Sequence, residues 1–366
     1  MRGRMAGLRF PYLPLSPFTS LYLLVIDNGM SPMRRLLSCA VVGLTLFAQV
    51  PSSPNIRVQV NEVIVPVTVT DDKGRFVSDL DRKDFTIFDE GREQKIEYFS
   101  RERSQPVVIG FLIDLSAASA IHWKSYQDGA IELVYNLMPG EQKYSGYLIS
   151  YSTQAEIVVN TTTDPEKLTA KLRKMRPSGG SSLYDAVWMA CTRHELVKGE
   201  PIEPRRILII IGDGHDNAST HTLEQALEIA QRNLVTIYGV STSAFGEVTP
   251  EEENLVKLAE QTGGRVVSPL QKVYSDISGY LSTPKDAGNY VFEAETGGYA
   301  SELSKNLYQA IASIAGEVTT QYILRYIPSA DGAPTDPKTQ ARRIKVNVDL
   351  PNVVVRARRE YYPNNP

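Results

Sequence analysis

Two unbroken apolar runs, "VVIGFLI" (107–113) and "ILIII" (207–211), constrain this chain more than any other feature in it. A strand without polar interruptions suits a position covered on both faces, as in a parallel sheet. Parallel neighbours need long crossovers, usually helices. Helical patterns do fall between the runs: "SYQDGAIELVYNLM", "DPEKLTAKLRKM" and "SLYDAVWMACTRHELV". In the second of these, Asp164 stands as cap and Pro165 at the first helical position. Further strands read at "YSGYLISYS", "AEIVVNTTT" and "VTIYGVSTS", and further helices at "TLEQALEIAQRNL", "EEENLVKLAEQTGG" and "YASELSKNLYQAIASIAGEV". The alternation predicts an α/β domain with a doubly wound, mostly parallel sheet over residues 104–322.

The flanks follow a different period. "RVQVNEVIVPVTVT" (57–70) alternates apolar and polar residues and is rich in β-branched side chains, so it reads as a strand. "FTIFDEGREQKIEYF" reads as two strands about a "DEGRE" turn, with Gly91 free to take positive φ. After residue 322, "TTQYILRYIP", "RRIKVNVDL" and "NVVVRARREYY" alternate again, and the polar "SADGAPTDPKTQ" makes a hairpin loop between the first two. Unpaired edges invite aggregation. Residues 55–103 and 323–366 are therefore expected to pair into one antiparallel, sandwich-like unit into which the α/β domain is inserted.

With 366 residues, 42% of them hydrophobic, and a formal net charge of -3, the composition is globular and gives no sign of a nucleic-acid surface. The segment from Met33 has Arg34 and Arg35 before an apolar core, Leu36 to Ala48, that is shorter than the ~18 residues a membrane span needs. Together these predict a cleaved signal peptide, export to the periplasm or beyond, and no stable membrane span afterwards. Residues 1–32 fit neither signal nor domain, so translation is expected to start at Met33 or Met30. Cys39 would leave with the signal, and Cys191 would remain as a lone thiol on an apolar helical face.

In open α/β sheets, ligands bind outside the carboxyl ends of the strands, where strand order reverses. Three segments end there in oxygen-bearing residues: Asp114 and Ser116 after the first apolar run, Ser181 after Gly179 and Gly180, and Asp213 in "IIIGDGHDN". Two carboxylates with two hydroxyls and no thiolate suit Mg²⁺ or Mn²⁺, with waters completing an octahedron. Ser119 and Asp216 are possible additional ligands, although Asp216 and Asn217 also have local reasons to sit in a turn.

The series D-x-S, G-G-S-x-L-Y-D-A, I-G-D-G, at Asp114, Gly179 and Gly212, resembles the metal-ion-dependent adhesion site of von Willebrand factor type A domains. The whole arrangement is similar to exported bacterial proteins described as related to that family. The resemblance implies direct coordination by Ser116 and Ser181 and a role for Asp213 through water. It further implies a non-enzymatic adhesion or scaffold module whose ion docks a carboxylate of a protein partner. Ala118 stands where the family's D-x-S-x-S pattern has its second serine. Ser119 comes one residue late, which turns its side chain elsewhere unless the loop is rebuilt.

Other readings of the same residues are plainer. Asp185 is expected to hydrogen-bond nearby loops, and His215 has no second histidine or cysteine at ligand spacing. An aspartyl phosphotransferase would need a second acid two residues after Asp114, where Ser116 stands, and a lysine after the "IIIGDG" strand. No G-x-S-x-G elbow is present. These gaps argue against a hydrolase or transferase. The alternative binding mode is a metal-free module that uses the sandwich and the helical faces.

Overall fold

The computed structural model describes residues 62–101, 106–120, 122–197, 204–243, 249–269, 298–328 and 341–363, without the side chains of 298–303. The expected signal peptide, start site and Cys39, and the loop 329–340, lie outside these residues.

The chain enters through β1 (Val63–Asp71), β2 (Phe85–Asp89), β3 (Arg92–Gln94) and β4 (Ile96–Ser100). Glu90 and Gly91 both take positive φ, 51° and 76°, the type I′ geometry that matches strand twist, and Asp89 faces Arg92 across the turn. The stretch after this turn is not one strand but two. β3 pairs with β2, whereas β4 pairs with a strand from the far end of the sequence. Lys95, between them, is where the backbone leaves one sheet for the other, as strands do at sandwich corners.

The α/β part follows: β5 (Val107–Asp114), α1 (Trp123–Leu137), β6 (Tyr144–Tyr151), β7 (Ala155–Thr162), α2 (Pro165–Leu172), α3 (Leu183–Thr192), β8 (Arg205–Gly212), α4 (Leu223–Arg232), β9 (Thr236–Ser241), α5 (Pro250–Thr262), β10 (Val266–Val267) and α6 (Gly298–Thr320). Asp164 caps α2 as expected, accepting from the Glu166 amide at 3.0 Å. The helix expected through "TRHELV" instead ends at Thr192. Arg193 is extended, and a separate 3₁₀ turn covers His194–Val197.

The strands form one sheet in the order β10-β9-β8-β5-β6-β7, parallel except for β7. All eight residues of β5 are buried. Successive side chains alternate between faces. Ile109, Phe111 and Ile113 pack with Leu133 of α1 and Ile314 of α6, while Val108 and Leu112 pack with Val187 of α3 and Leu227 of α4. Each fully buried aliphatic side chain contributes about 1.5–3 kcal/mol, so two such layers hold β5 rigidly in place.

After α6 come β11 (Tyr322–Tyr326), β12 (Arg342–Val348), β13 (Val353–Ala357) and β14 (Glu360–Tyr361). They interleave with the first four strands. One sheet runs β13-β1-β11-β4 and the other β14-β12-β2-β3, so every pairing of β1 is with a strand from the other flank. The run "NVVVRARREYY" also divides between the two sheets, at Arg358 and Arg359.

Val65, Val67, Ile87, Leu324 and Tyr326 form the core between the sheets. At its centre Asp89, fully buried, accepts from Tyr326 Oη (3.0 Å), Tyr361 Oη (2.8 Å) and Arg342 Nε (2.9 Å). One acid from the first flank thus holds three side chains from the second. Among the described residues, no helix is long and apolar enough to cross a membrane.

Candidate metal centre

β6 and β7 lie to one side of β5, and β8 lies to the other, so strand order reverses between β5 and β8. That switch point is where a crevice opens beyond the strand ends. Register puts Ile113 opposite Ile211, which brings Asp114, the last residue of β5, level with Gly212. The glycine is required there. A Cβ on Gly212 would stand 3.0 Å from Asp114 Cβ, 3.4 Å from Asp114 Oδ2 and against the Tyr151 hydroxyl.

The three loops that carry the predicted residues are laced together by backbone bonds. Ser178 N donates to Leu115 O (2.6 Å) and Ala117 N to Gly179 O (3.1 Å), tying the loop after β5 to the loop before α3. Gly179, at φ 84°, makes the bend that allows this approach. Asn217 N and Ala218 N both donate to Ser181 O (2.9 Å each), tying the loop before α3 to the loop after β8. Ser181 N donates to Asn217 Oδ1 (2.9 Å), and Ser181 Oγ donates to His215 O (2.7 Å). The hydroxyl proton is thereby committed, and the lone pairs of Ser181 Oγ stay available as donors to an ion.

Asp114 is 2% exposed. Its Oδ1 accepts from Ser116 N (2.7 Å), and its Oδ2 has no partner. Burial pushes its carboxyl up to about 6. The negative charge of Asp213 adds to this, while the hydrogen bond from the Ser116 amide opposes it. Asp213 Oδ1 accepts from His215 N (2.9 Å), which fixes the second acid at the mouth of the crevice.

Ser119 does not turn away. Ala117–Ala120 is a 3₁₀ turn, closed by Ser119 N donating to Ser116 O (3.1 Å). Side chains three residues apart eclipse in such a turn, which brings Ser119 over Ser116. This is the loop rebuilding that a serine one residue late requires. The Ser116 and Ser119 hydroxyl oxygens are both buried without a hydrogen-bond partner.

Asp216, the other additional candidate, is committed elsewhere. It accepts from Tyr184 N (2.9 Å), Ser219 N (3.2 Å) and Ser219 Oγ (2.6 Å), so it anchors the first turn of α3. Asp185 accepts from Thr220 N (3.0 Å), His221 N (3.0 Å) and His221 Nδ1 (2.6 Å), the local bracing expected of it. His221 in turn stacks on Trp188 at 4.1 Å, on the wall of an open groove of about 630 Å³ that reaches Thr153 beside the Gly179 bend.

One residue escaped the sequence reading. Tyr151 ends β6 opposite Asp114, and its hydroxyl is buried without a partner. Burial, together with the charges of Asp114, Asp213 and Asp216, raises its pKa well above the phenol range. A neutral O–H therefore sits beneath the two acids. The only signal for it was its place at the end of an apolar strand.

Among the described residues, no three His, Cys, Asp or Glu side chains gather as a metal cluster, so a cation here relies on hydroxyls beside two acids. The donor set fits a hard divalent ion. Asp114 Oδ2, Ser116 Oγ and Ser119 Oγ are buried oxygens that lack partners, and such groups are rare unless something satisfies them.

An open α/β sheet with acids and hydroxyls laced around its switch point defines the class. Residues 109–274 match the family model of the von Willebrand factor type A domain. Similar solved structures include an aerotolerance-related membrane protein from Bacteroides fragilis NCTC 9343 with multiple mutations to serines (12% identity, 56% of this chain and 98% of that one, TM-score 0.37). The vWF domain of the type V pili tip protein Mfa5 from Porphyromonas gingivalis is another (14% identity, 48% and 94%, TM-score 0.38). A third is BatB from Bacteroides thetaiotaomicron (15% identity, 55% and 99%, TM-score 0.34). No curated protein matches the chain.

Proposed function

We propose that the protein is an exported, non-enzymatic binding module that docks an acidic side chain of a partner protein through Mg²⁺ or Mn²⁺ at the rim of its central sheet. The observation that carries this reading is the set of partnerless buried oxygens on Asp114, Ser116 and Ser119, in loops laced to Ser181 and to the Asp213 turn. Asp114, Ser116 and Ser181 would hold the ion directly and Asp213 through water, as the family resemblance implies, and Ser119, whose buried hydroxyl oxygen lacks a partner, would add a further ligand. A bound ion supplies a concentrated positive charge with a ligand position that a partner carboxylate can complete.

The residues around the ion do the rest. The Ser116 amide orients Asp114, and the Ser181–His215 bond orients the serine oxygen. The adjacent groove with Trp188 and His221 offers aromatic surface to side chains flanking the docked acid. Without an ion, Asp114 and Asp213 repel an acidic partner, so metal dependence is the discriminating property.

Calorimetric titration of the purified protein with Mg²⁺ and Mn²⁺ tests the ion, with Asp213→Ala as the control. Saturable binding that the variant weakens supports the reading. No heat and no thermal shift at millimolar metal would remove the ion from it. Partner capture that survives chelation and Asp213→Ala would favour the metal-free module instead.

A further inference from the structure

The floor of the crevice holds a buried group that the proposed site does not use. Tyr151 closes β6 in register with Asp114, and Leu115 N donates to Tyr151 O (2.8 Å). The tyrosine backbone is thereby fixed to the loop that carries Ser116. Its side chain is 1% exposed, in the same apolar layer as Leu112, Leu183 and Ile210. A phenylalanine ring would fill that layer equally well, so packing explains the ring and not the hydroxyl. The hydroxyl is buried without a hydrogen-bond partner, and such groups call for a reason of their own.

Gly212 shows what the hydroxyl faces. A Cβ on that residue would meet both Tyr151 Oη and, at 3.4 Å, Asp114 Oδ2. Phenol and carboxylate therefore flank the same bare stretch of backbone. Asp114 Oδ1 is taken by the Ser116 amide (2.7 Å), and Oδ2 has no partner. Burial and the charges of Asp114, Asp213 and Asp216 keep the phenol in its protonated form, so it is a donor beside an acceptor. A carboxylate oxygen carries two lone pairs. One can serve an ion while the other serves the phenol.

We propose that Tyr151 is a positioning residue for the ion: its hydroxyl donates to Asp114 Oδ2 from beneath and holds the carboxylate toward the rim. This role rests on the ion site proposed above. Carboxylates that ligate metals are themselves hydrogen-bonded, and loss of such a partner typically costs 10–100-fold in metal affinity. The bond satisfies two buried groups at once, and it explains a tyrosine where the core asks only for an aromatic ring.

Tyr151→Phe removes the hydroxyl and keeps the ring, so a positioning role and a purely structural one predict different results. Calorimetric titration with Mg²⁺ should show affinity about tenfold weaker than in the unaltered protein. The melting temperature of the metal-free variant should not fall, because the hydroxyl it lacks was unpaired. In the unaltered protein, Mg²⁺ should also move tyrosine absorption to longer wavelength, as a phenol begins to donate to a carboxylate, and Tyr151→Phe should abolish that shift. Unchanged Mg²⁺ affinity in the variant, beside normal binding by the unaltered protein, overturns the role of Tyr151 and leaves the ion site standing. A lower melting temperature with the same affinity gives the hydroxyl a structural role only and overturns it too. No Mg²⁺ binding by the unaltered protein removes the ion site, and this role with it.

Discussion

Burial, with the negative charge of Asp213 added, raises the Asp114 carboxyl from 3.8 to about 6 against the opposing hydrogen bond from the Ser116 amide. The sign follows directly. A carboxyl whose folded value lies above its unfolded one binds its proton more tightly in the folded state. Its contribution to stability is fully present below pH 3.8 and is lost as pH rises through about 6. The difference amounts to about 3 kcal/mol of destabilisation of the metal-free protein at neutral pH.

A divalent ion reverses this penalty, because it binds only the ionised form. With a metal-free value near 6, about nine-tenths of the sites must release a proton at pH 5, and about one-tenth at pH 7. Apparent Mg²⁺ affinity should therefore weaken about tenfold from pH 7 to pH 5. Titration calorimetry in buffers of different ionisation enthalpy reads both quantities, the affinity and the protons released. Asp114→Asn should abolish the pH dependence along with most of the affinity. Affinity that stays level between pH 5 and pH 7, with no proton release, would refute the placement of Asp114 in the ion's shell.

Other perturbations have equally definite outcomes. Asp89→Ala strands a buried guanidinium and two hydroxyls and should cost about 3–5 kcal/mol in urea unfolding; adding Arg342→Met should recover part of the loss. Gly212→Ala drives a methyl against Asp114 and Tyr151, so it should lower stability by about 1–3 kcal/mol and depress metal affinity. Ser119→Ala should weaken Mg²⁺ binding about as much as Ser116→Ala in calorimetry, whereas Ala117→Ser, on an exposed residue of the same turn, should leave it unchanged.

The central sheet was legible because its strands are buried on both faces, and an uninterrupted apolar run as short as 107–113 suits few places other than the middle of such a sheet. The site was legible for a related reason. Acids and hydroxyls that follow such runs must emerge at one rim, so Asp114, Ser116 and Asp213 could be grouped without coordinates, and Ser181 joined them from the glycine bend before a helix. The register of Ser119 was not. A step of one residue reverses direction in a strand, but the chain enters a 3₁₀ turn at Ala117, and nothing in "SAAS" distinguishes the two.

Sheet membership was hidden in the same way. The period of two in "REQKIEYF" shows which residues face inward, not which sheet they face inward from. The crossing at Lys95 leaves that period intact. Asp216 looked like a ligand because a carboxylate two residues after Gly214 fits a cation loop and an Asx turn alike. Only the amide of Tyr184, brought alongside by the fold, decides which it serves.

The position of the site follows from how the flanks attach. β4 feeds the start of β5, and α6 returns the chain to β11 at the same edge, where Gln321 donates to Thr68 Oγ1 (3.3 Å) and Tyr238 Oη (3.0 Å). The flanks thus occupy the amino-terminal edge of the sheet and leave the carboxyl rim to Asp114 and Asp213. The eight residues of β8 separate Arg205 from the rim by about 26 Å. That distance exceeds the Debye length of about 8 Å at physiological ionic strength, so charges at the base exert little force on an ion at the rim. Removing the Asp89 anchor should consequently shift the unfolding midpoint while the Mg²⁺ affinity of molecules that remain folded stays the same. A parallel loss of affinity and stability in Asp89→Ala, measured well below its unfolding transition, would mean that the flanks set the geometry of the rim.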